Sequence, residues 1–184
     1  MSFDRKKDVY LLRAGRNSSE PEAYDHWPDW KGFDPVRACL HYGVTIDIEN
    51  YYQNPTLCNK KDIKENCMWF DYLSRVIGNN VIIIEPASEH NPKTAKIAFV
   101  GKTTSKRKLA DPPMNFGEYG KNDIRGEHSN YVEVDGHELI NKNPWIPYFA
   151  FRKPKNMYFT CTRYTWTEIN DENNWDKLDS LYDR

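Results

Sequence analysis

The stretch KKDIKENCMWFDYLSRVIGNNVIIIE, residues 60–85, changes its hydrophobic period part-way along, and the fold class turns on that change. Over 60–78, Ile63, Cys67, Phe70, Leu73 and Ile77 recur at helical spacing on one stripe. Lys60, Lys61, Lys64 and Arg75 fall mostly elsewhere, and Gly78 suits a helix exit. The spacing predicts a helix with one face in the core, and it makes Cys67 a packing residue rather than a reactive one. VIIIE (81–85) follows as a short apolar run that reads as a buried strand.

Upstream, DVYLLRA (8–14) reads as a first strand closed by Gly15, followed by a long loop whose Trp27 and Trp30 fold back onto the body. DPVRACLHYG (34–43) predicts a short helix, with Asp34 as its cap, Pro35 in the first turn and Gly43 at its exit. VTIDI (44–48) predicts a strand. Downstream, AKIAFVGKT (95–103) is a strand, and NYVEVDGHELI (130–140) predicts a hairpin turning at Asp135-Gly136. PYFAFR and MYFTCTRYTWTEI are two further strands joined by residues 153–156, and the acidic tail 171–184 predicts a terminal helix. The expected fold is α+β, a single domain over 1–184. Its largely antiparallel sheet lies in the C-terminal half, with two or three helices packed against it, mostly from the N-terminal half.

Composition narrows the class. A chain of 184 residues can bury roughly two thirds of its unfolded surface as one domain. The mean hydropathy is -0.87, but aromatics at 14% are too plentiful for a disordered chain. No apolar run approaches the ~20 residues of a membrane span. The charged start MSFDRKKD has no apolar core, so no secretory signal is expected and the setting is cytoplasmic. Reduced thiols follow for Cys39, Cys58, Cys67 and Cys161. Cys39, His41, Cys58 and Cys67 include zinc-ligand types without a C-x2-C pair, so no metal and no cofactor are expected.

The net charge of -1 conceals polarity along the chain. Residues 1–92 carry 11 basic and 14 acidic groups, 93–167 carry 13 and 7, and 168–184 carry 2 and 6. A positive middle between negative flanks suits an anionic partner, because local field steers association. Within it, AFVGKTTSKRK (98–108) contains GKT, but Lys96 stands where a P-loop needs its first glycine. Lys102, Lys106, Arg107 and Lys108 then read as a basic loop that meets phosphates without sequence preference, or as a plain solvated loop. The five histidines show no paired metal spacing, and no G-x-S-x-G is present.

The stretch 146–166, IPYFAFRKPKNMYFTCTRYTW, holds seven aromatics and four basic residues. With a four-residue turn at 153–156, Phe151 faces Tyr158 and Arg152 faces Met157. Met157, Phe159 and Cys161 then share one face with Arg152. Tyr158, Tyr164 and Trp166 share the other, which either lies under helix 60–77 or stacks bases while Lys153, Lys155 and Arg163 meet phosphates.

Arg13, at the end of VYLLR, and a late-strand glutamate, Glu133 or Glu118, form an arrangement that resembles the ADP-ribosyltransferase toxins. That resemblance implies an arginine holding dinucleotide phosphates and a glutamate activating the ribose. The family's Ser-Thr-Ser strand is absent unless Thr160-Cys161-Thr162 replaces it, and no E-x-E loop accompanies the late strands.

The leading expectation is nucleic-acid binding on an aromatic and basic sheet surface, reading a flipped or single-stranded base, with no membrane partner. The site residues are Tyr158, Tyr164, Trp166, Arg152, Lys153, Lys155, Arg163, Lys106, Arg107 and Lys108, and no catalytic residue is needed. The alternatives are an ADP-ribosyltransferase using Arg13 and Glu133, and a protein-binding inhibitor or immunity protein that contacts its partner through the acidic tail.

Overall fold

A computed structural model describes residues 6–13, 33–40, 47–86, 94–115, 127–138, 145–147, 152–153, 157–158 and 166–168. In chain order its elements begin with β1 (Val9–Arg13), β2 (Val36–Cys39), α1 (Ile48–Gln53) and α2 (Lys61–Arg75). The strands β3 (Asn80–Pro86), β4 (Thr94–Thr103), β5 (Lys108–Asn115) and β6 (Glu127–Glu138) follow. Last come β7 (Trp145–Pro147), β8 (Arg152–Lys153), β9 (Met157–Tyr158) and β10 (Trp166–Glu168). The main sheet runs β10-β1-β3-β4-β6-β2, with β5 also on β6 and β7 on β4, while β8 and β9 pair apart from it. Among the described pairings only β1 with β3 is parallel. The architecture is mixed α+β. Three of its sheet strands, β1, β2 and β3, come from the N-terminal half beside both described helices.

Residues 60–85 fold as their period predicts. Cys67, Phe70 and Leu73 of α2 are fully buried, and Ile63 packs at the edge of the same core. Ile77 lies beyond the helix and is exposed. The core joins that stripe to Tyr10, Leu12, Val81, Ile83, Val132 and Val134 of the sheet. Each large apolar side chain buried this way contributes roughly 1.5–3 kcal/mol. Val9, Leu11 and Ile82, of the opposite parity, are buried as well. The centre of the sheet is therefore covered on both faces, which is why VIII shows no alternation.

Three local expectations are overturned. Residues 36–39 form a strand, not a helix: Ala38 and Leu40 enter the core while Val36–Cys39 pairs antiparallel with β6. The capping signals at Asp34 and Pro35 are local, and pairing with a distant strand outweighs them. Asp47 and Ile48 do not end a strand. The Asn50 N–H donates to Asp47 Oδ1 at 3.0 Å, and Ile48 opens α1 and is buried. Residues 44–46 lie outside the described residues.

The third correction concerns Asp135-Gly136, which lies within the continuous strand β6, opposite Lys102 and Gly101 of β4. Gly136 has no positive φ, so it makes no hairpin turn of the expected kind. It is glycine because β4 approaches too closely for a side chain. A Cβ there would fall on the Val100 carbonyl oxygen and lie 2.9 Å from Phe99 Cζ. Phe99, itself buried, covers the paired glycines. In β5, Leu109 and Met114 bracket a register shift. Pro112 and Pro113 fall inside it, where a missing N–H interrupts the ladder.

Candidate functional site

The basic run 102–108 sits where β4 hands over to β5 along the same edge of β6. Thr103 is opposite Val134 and Lys108 opposite Tyr131, so four residues, 104–107, loop out against two of β6. Both backbone groups of Glu133 hold the protrusion. The Thr104 N–H donates to the Glu133 carbonyl at 2.9 Å, and the Glu133 N–H donates to Ser105 Oγ at 2.9 Å. A serine hydroxyl thus replaces the missing ladder partner.

The same segment closes the C-terminal end of α2, whose last carbonyls have no partner within the helix. Thr103 Oγ1 accepts from the Gly78 and Asn79 N–H groups at 3.0 and 3.1 Å and donates to the Val76 carbonyl at 3.3 Å. The Asn79 side chain donates to the Leu73 carbonyl at 3.1 Å, and the Arg107 N–H donates to the Ser74 carbonyl at 3.3 Å. Gly78 turns the chain with φ of 91°, a conformation that favours glycine. Cationic residues beside this helix end complement its partial negative charge.

Other basic residues reach the same end of the sheet. Asn80 is the register partner of Lys102, and its side-chain amide donates to the Lys7 carbonyl at 3.3 Å. The Lys7 side chain lies beside Gly78. Lys106 and Lys108 are exposed, whereas Arg107 and Lys102 are half-buried. The Arg107 guanidinium donates to Asn130 Oδ1 at 3.4 Å.

Glu133 supplies a counter-charge to this run. Its Oε1 lies 2.7 Å from Lys108 Nζ, with the carboxylate the more covered partner. On the other side its register partner is Arg37, whose guanidinium is held between the Phe33 and Tyr131 rings at 4.4 and 4.5 Å. Nothing in the sequence marked Arg37, because 34–43 reads locally as a helix. A second charged cluster joins α1 to α2. Tyr52 donates to Asp71 Oδ2 at 3.0 Å, and Arg75 Nη2 lies 2.6 Å from the same oxygen and 3.0 Å from Glu49 Oε2. Burial, reinforced by the Asp71 hydrogen bond, pushes the Tyr52 hydroxyl up to about 12. The i,i+4 spacing of Asp71 and Arg75 was its one visible signal.

The remaining candidates are placed as follows. Arg13 pairs with Ile84 in a row that continues to Ile97, while Glu133 lies beyond Thr103 at the other end of β4, and β3 and β4 separate their strands. At ~3.3 Å per residue and ~4.8 Å per strand they are on the order of 25 Å apart. They are not brought together for one dinucleotide. In the β8–β9 pair, Arg152 is opposite Tyr158 and Lys153 opposite Met157, one residue from the expected register. The link is therefore residues 154–156 rather than a four-residue turn, and Tyr158 faces Arg152 instead of Phe151.

Trp166 is the register partner of Leu12, a helix-side core residue, and α2 packs against β10. Lys155, Arg163, Tyr164, Glu118 and the tail 171–184 lie outside the described residues. Cys39, Cys58 and Cys67 are unbridged and buried, and burial pushes the Cys39 thiol up to about 12 and raises Cys58 and Cys67 too. Among the described residues no helix is long and apolar enough to cross a membrane. No protein-family model matches the chain, and no curated protein is significantly similar to it.

Proposed function

We propose that this chain binds single-stranded nucleic acid, with phosphates meeting the basic end of the main sheet. The observation that supports this is the backbone-anchored protrusion 104–107, which exposes Lys106 just after β4, whose Lys102 pairs with Asn80, itself bonded to the Lys7 carbonyl. A fixed cationic corner meets a phosphate chain without ordering a loop first, so less conformational entropy opposes binding. Contacts of this kind are sequence-independent and salt-dependent. Base stacking on Tyr158, Tyr164 and Trp166, with Arg152, Lys153, Lys155 and Arg163 on the backbone, belongs to the same proposal as its second half. The separation of Arg13 from Glu133 argues against the transferase alternative.

Fluorescence anisotropy with a labelled oligothymidylate at several salt concentrations tests both halves. Three phosphate contacts give a slope of log K against log salt near -2, from about -0.7 per contact on single strands. Lys102→Ala and Lys106→Ala should each flatten it by about 0.7. Unchanged slopes in both variants refute the basic end as the site. Unchanged affinity in Trp166→Ala and Arg163→Ala removes the stacking half alone.

A further inference from the structure

We infer that Glu133 is an internal competitor that withholds Lys108 from the phosphate ligand, so that Lys106 and not Lys108 carries binding on this protrusion. The inference rests on the nucleic-acid reading above and narrows its contact set. The two lysines flank Arg107, are both exposed, and look equivalent in sequence. The structure separates them. Lys108 Nζ lies 2.7 Å from Glu133 Oε1, a pair whose carboxylate is four-fifths covered. Glu133 is not free to swing its backbone away, because its N–H and carbonyl are both bonded to the protrusion, at Ser105 Oγ and the Thr104 N–H. Its register partner on the other side is Arg37, whose guanidinium lies over the Phe33 and Tyr131 rings.

A phosphate approaching Lys108 must displace a carboxylate already seated at hydrogen-bond distance, and it meets that carboxylate's repulsion as it does so. Lys106 enters none of these bonds. Withdrawing one lysine lowers the count of neutralised phosphates by one. At 0.1 M salt this weakens binding about fivefold, from a slope of about 0.7 per contact.

The experiment measures oligothymidylate binding by the full chain across a salt series, comparing two substitutions that remove the same charge. Lys106→Ala should flatten the slope by about 0.7, and Lys108→Ala should leave it unchanged. Glu133→Gln should tighten binding about fivefold at 0.1 M salt and steepen the slope by about 0.7, and adding Lys108→Ala to it should return both to the wild-type values. Equal flattening by Lys106→Ala and Lys108→Ala overturns the inference, since it counts Lys108 among the contacts. So does binding that Glu133→Gln leaves unchanged in a folded protein. The Lys106 and Lys108 comparison stands if Glu133→Gln fails to fold. Absence of salt-dependent binding in the wild type and Glu133→Gln alike overturns the underlying reading, which is a different result from either of these.

Discussion

Substitution of Gly101 by alanine distinguishes the continuous β6 from a hairpin at Asp135-Gly136. Built on the observed backbone, the new Cβ falls on the Asp135 carbonyl oxygen, 3.0 Å from its carbonyl carbon and 2.7 Å from Phe99 Cε1. The Phe99 ring can turn, but it is buried, with 2% of its surface exposed, so it has little space to turn into. The Asp135 carbonyl cannot retreat without parting β4 from β6 at the flanking pairs Val100–His137 and Lys102–Asp135. Overpacking against backbone belongs at the upper end of the usual range, about 3 kcal/mol. With a urea dependence of roughly 2 kcal/mol per molar, the midpoint falls by about 1.5 M. Tryptophan fluorescence in a urea titration reads this directly. Gly136→Ala should cost at least as much, and the double variant less than the sum, because one separation of the strands relieves both contacts. A hairpin would reverse the sign at Gly101. With no strand opposite, alanine would relieve the entropic penalty of a strand glycine, of roughly 0.5–1 kcal/mol. A Gly101→Ala midpoint equal to or above wild type refutes the close Gly101–Gly136 approach.

Two further outcomes follow from particular hydrogen bonds. Tyr52→Phe should destabilise the fold by roughly 1–3 kcal/mol, by leaving the buried Asp71 oxygen with one donor fewer. Because the folded hydroxyl titrates near 12 rather than near its ordinary 10, Tyr52 contributes its stability fully below pH 10 and loses it as pH rises from 10 to 12. The difference in thermal midpoint between wild type and Tyr52→Phe should therefore shrink across that window, and a constant difference contradicts the Tyr52–Asp71 bond. Thr103→Val should cost about 1–3 kcal/mol in chemical denaturation, since it removes the oxygen serving Gly78, Asn79 and Val76, whereas Thr103→Ser should restore most of it. Equal stability of the valine and wild-type proteins rules out that cap.

What could be read from the sequence was whatever a residue's own neighbours decide. The stripe Cys67, Phe70, Leu73 and the unbroken VIII follow from burial on one helix face and on both sheet faces, so α2 and β3 were legible. The misread segments share a different cause. Val36–Cys39 becomes a strand because β6, about a hundred residues later, offers it a partner. Asp135-Gly136 carries the strongest short hairpin signal in the chain, yet Gly101 supplies a second reason for glycine that only pairing reveals. The candidate site divides the same way. A run of basic residues is visible in one dimension, but which lysine a carboxylate restrains depends on Glu133, brought in by the β5–β6 ladder.

The protrusion 104–107 also separates two demands that the sequence presents as one. Its structural work is done by Thr103, by the backbone of Thr104 and Arg107, and by the Ser105 hydroxyl. The Lys106 side chain takes no part in those bonds and is exposed. The fold would accept a neutral residue at 106, so its charge needs another reason. The dipole of α2 supplies one of about 0.3–1 kcal/mol, which salt screens. A phosphate ligand supplies the other, worth about fivefold in affinity at 0.1 M salt. The two are separable in a single variant. If Lys106→Ala loses up to about 1 kcal/mol of stability but keeps its slope of binding against salt, the charge serves the helix. A slope that flattens by about 0.7 in a protein of nearly unchanged stability assigns the charge to the ligand.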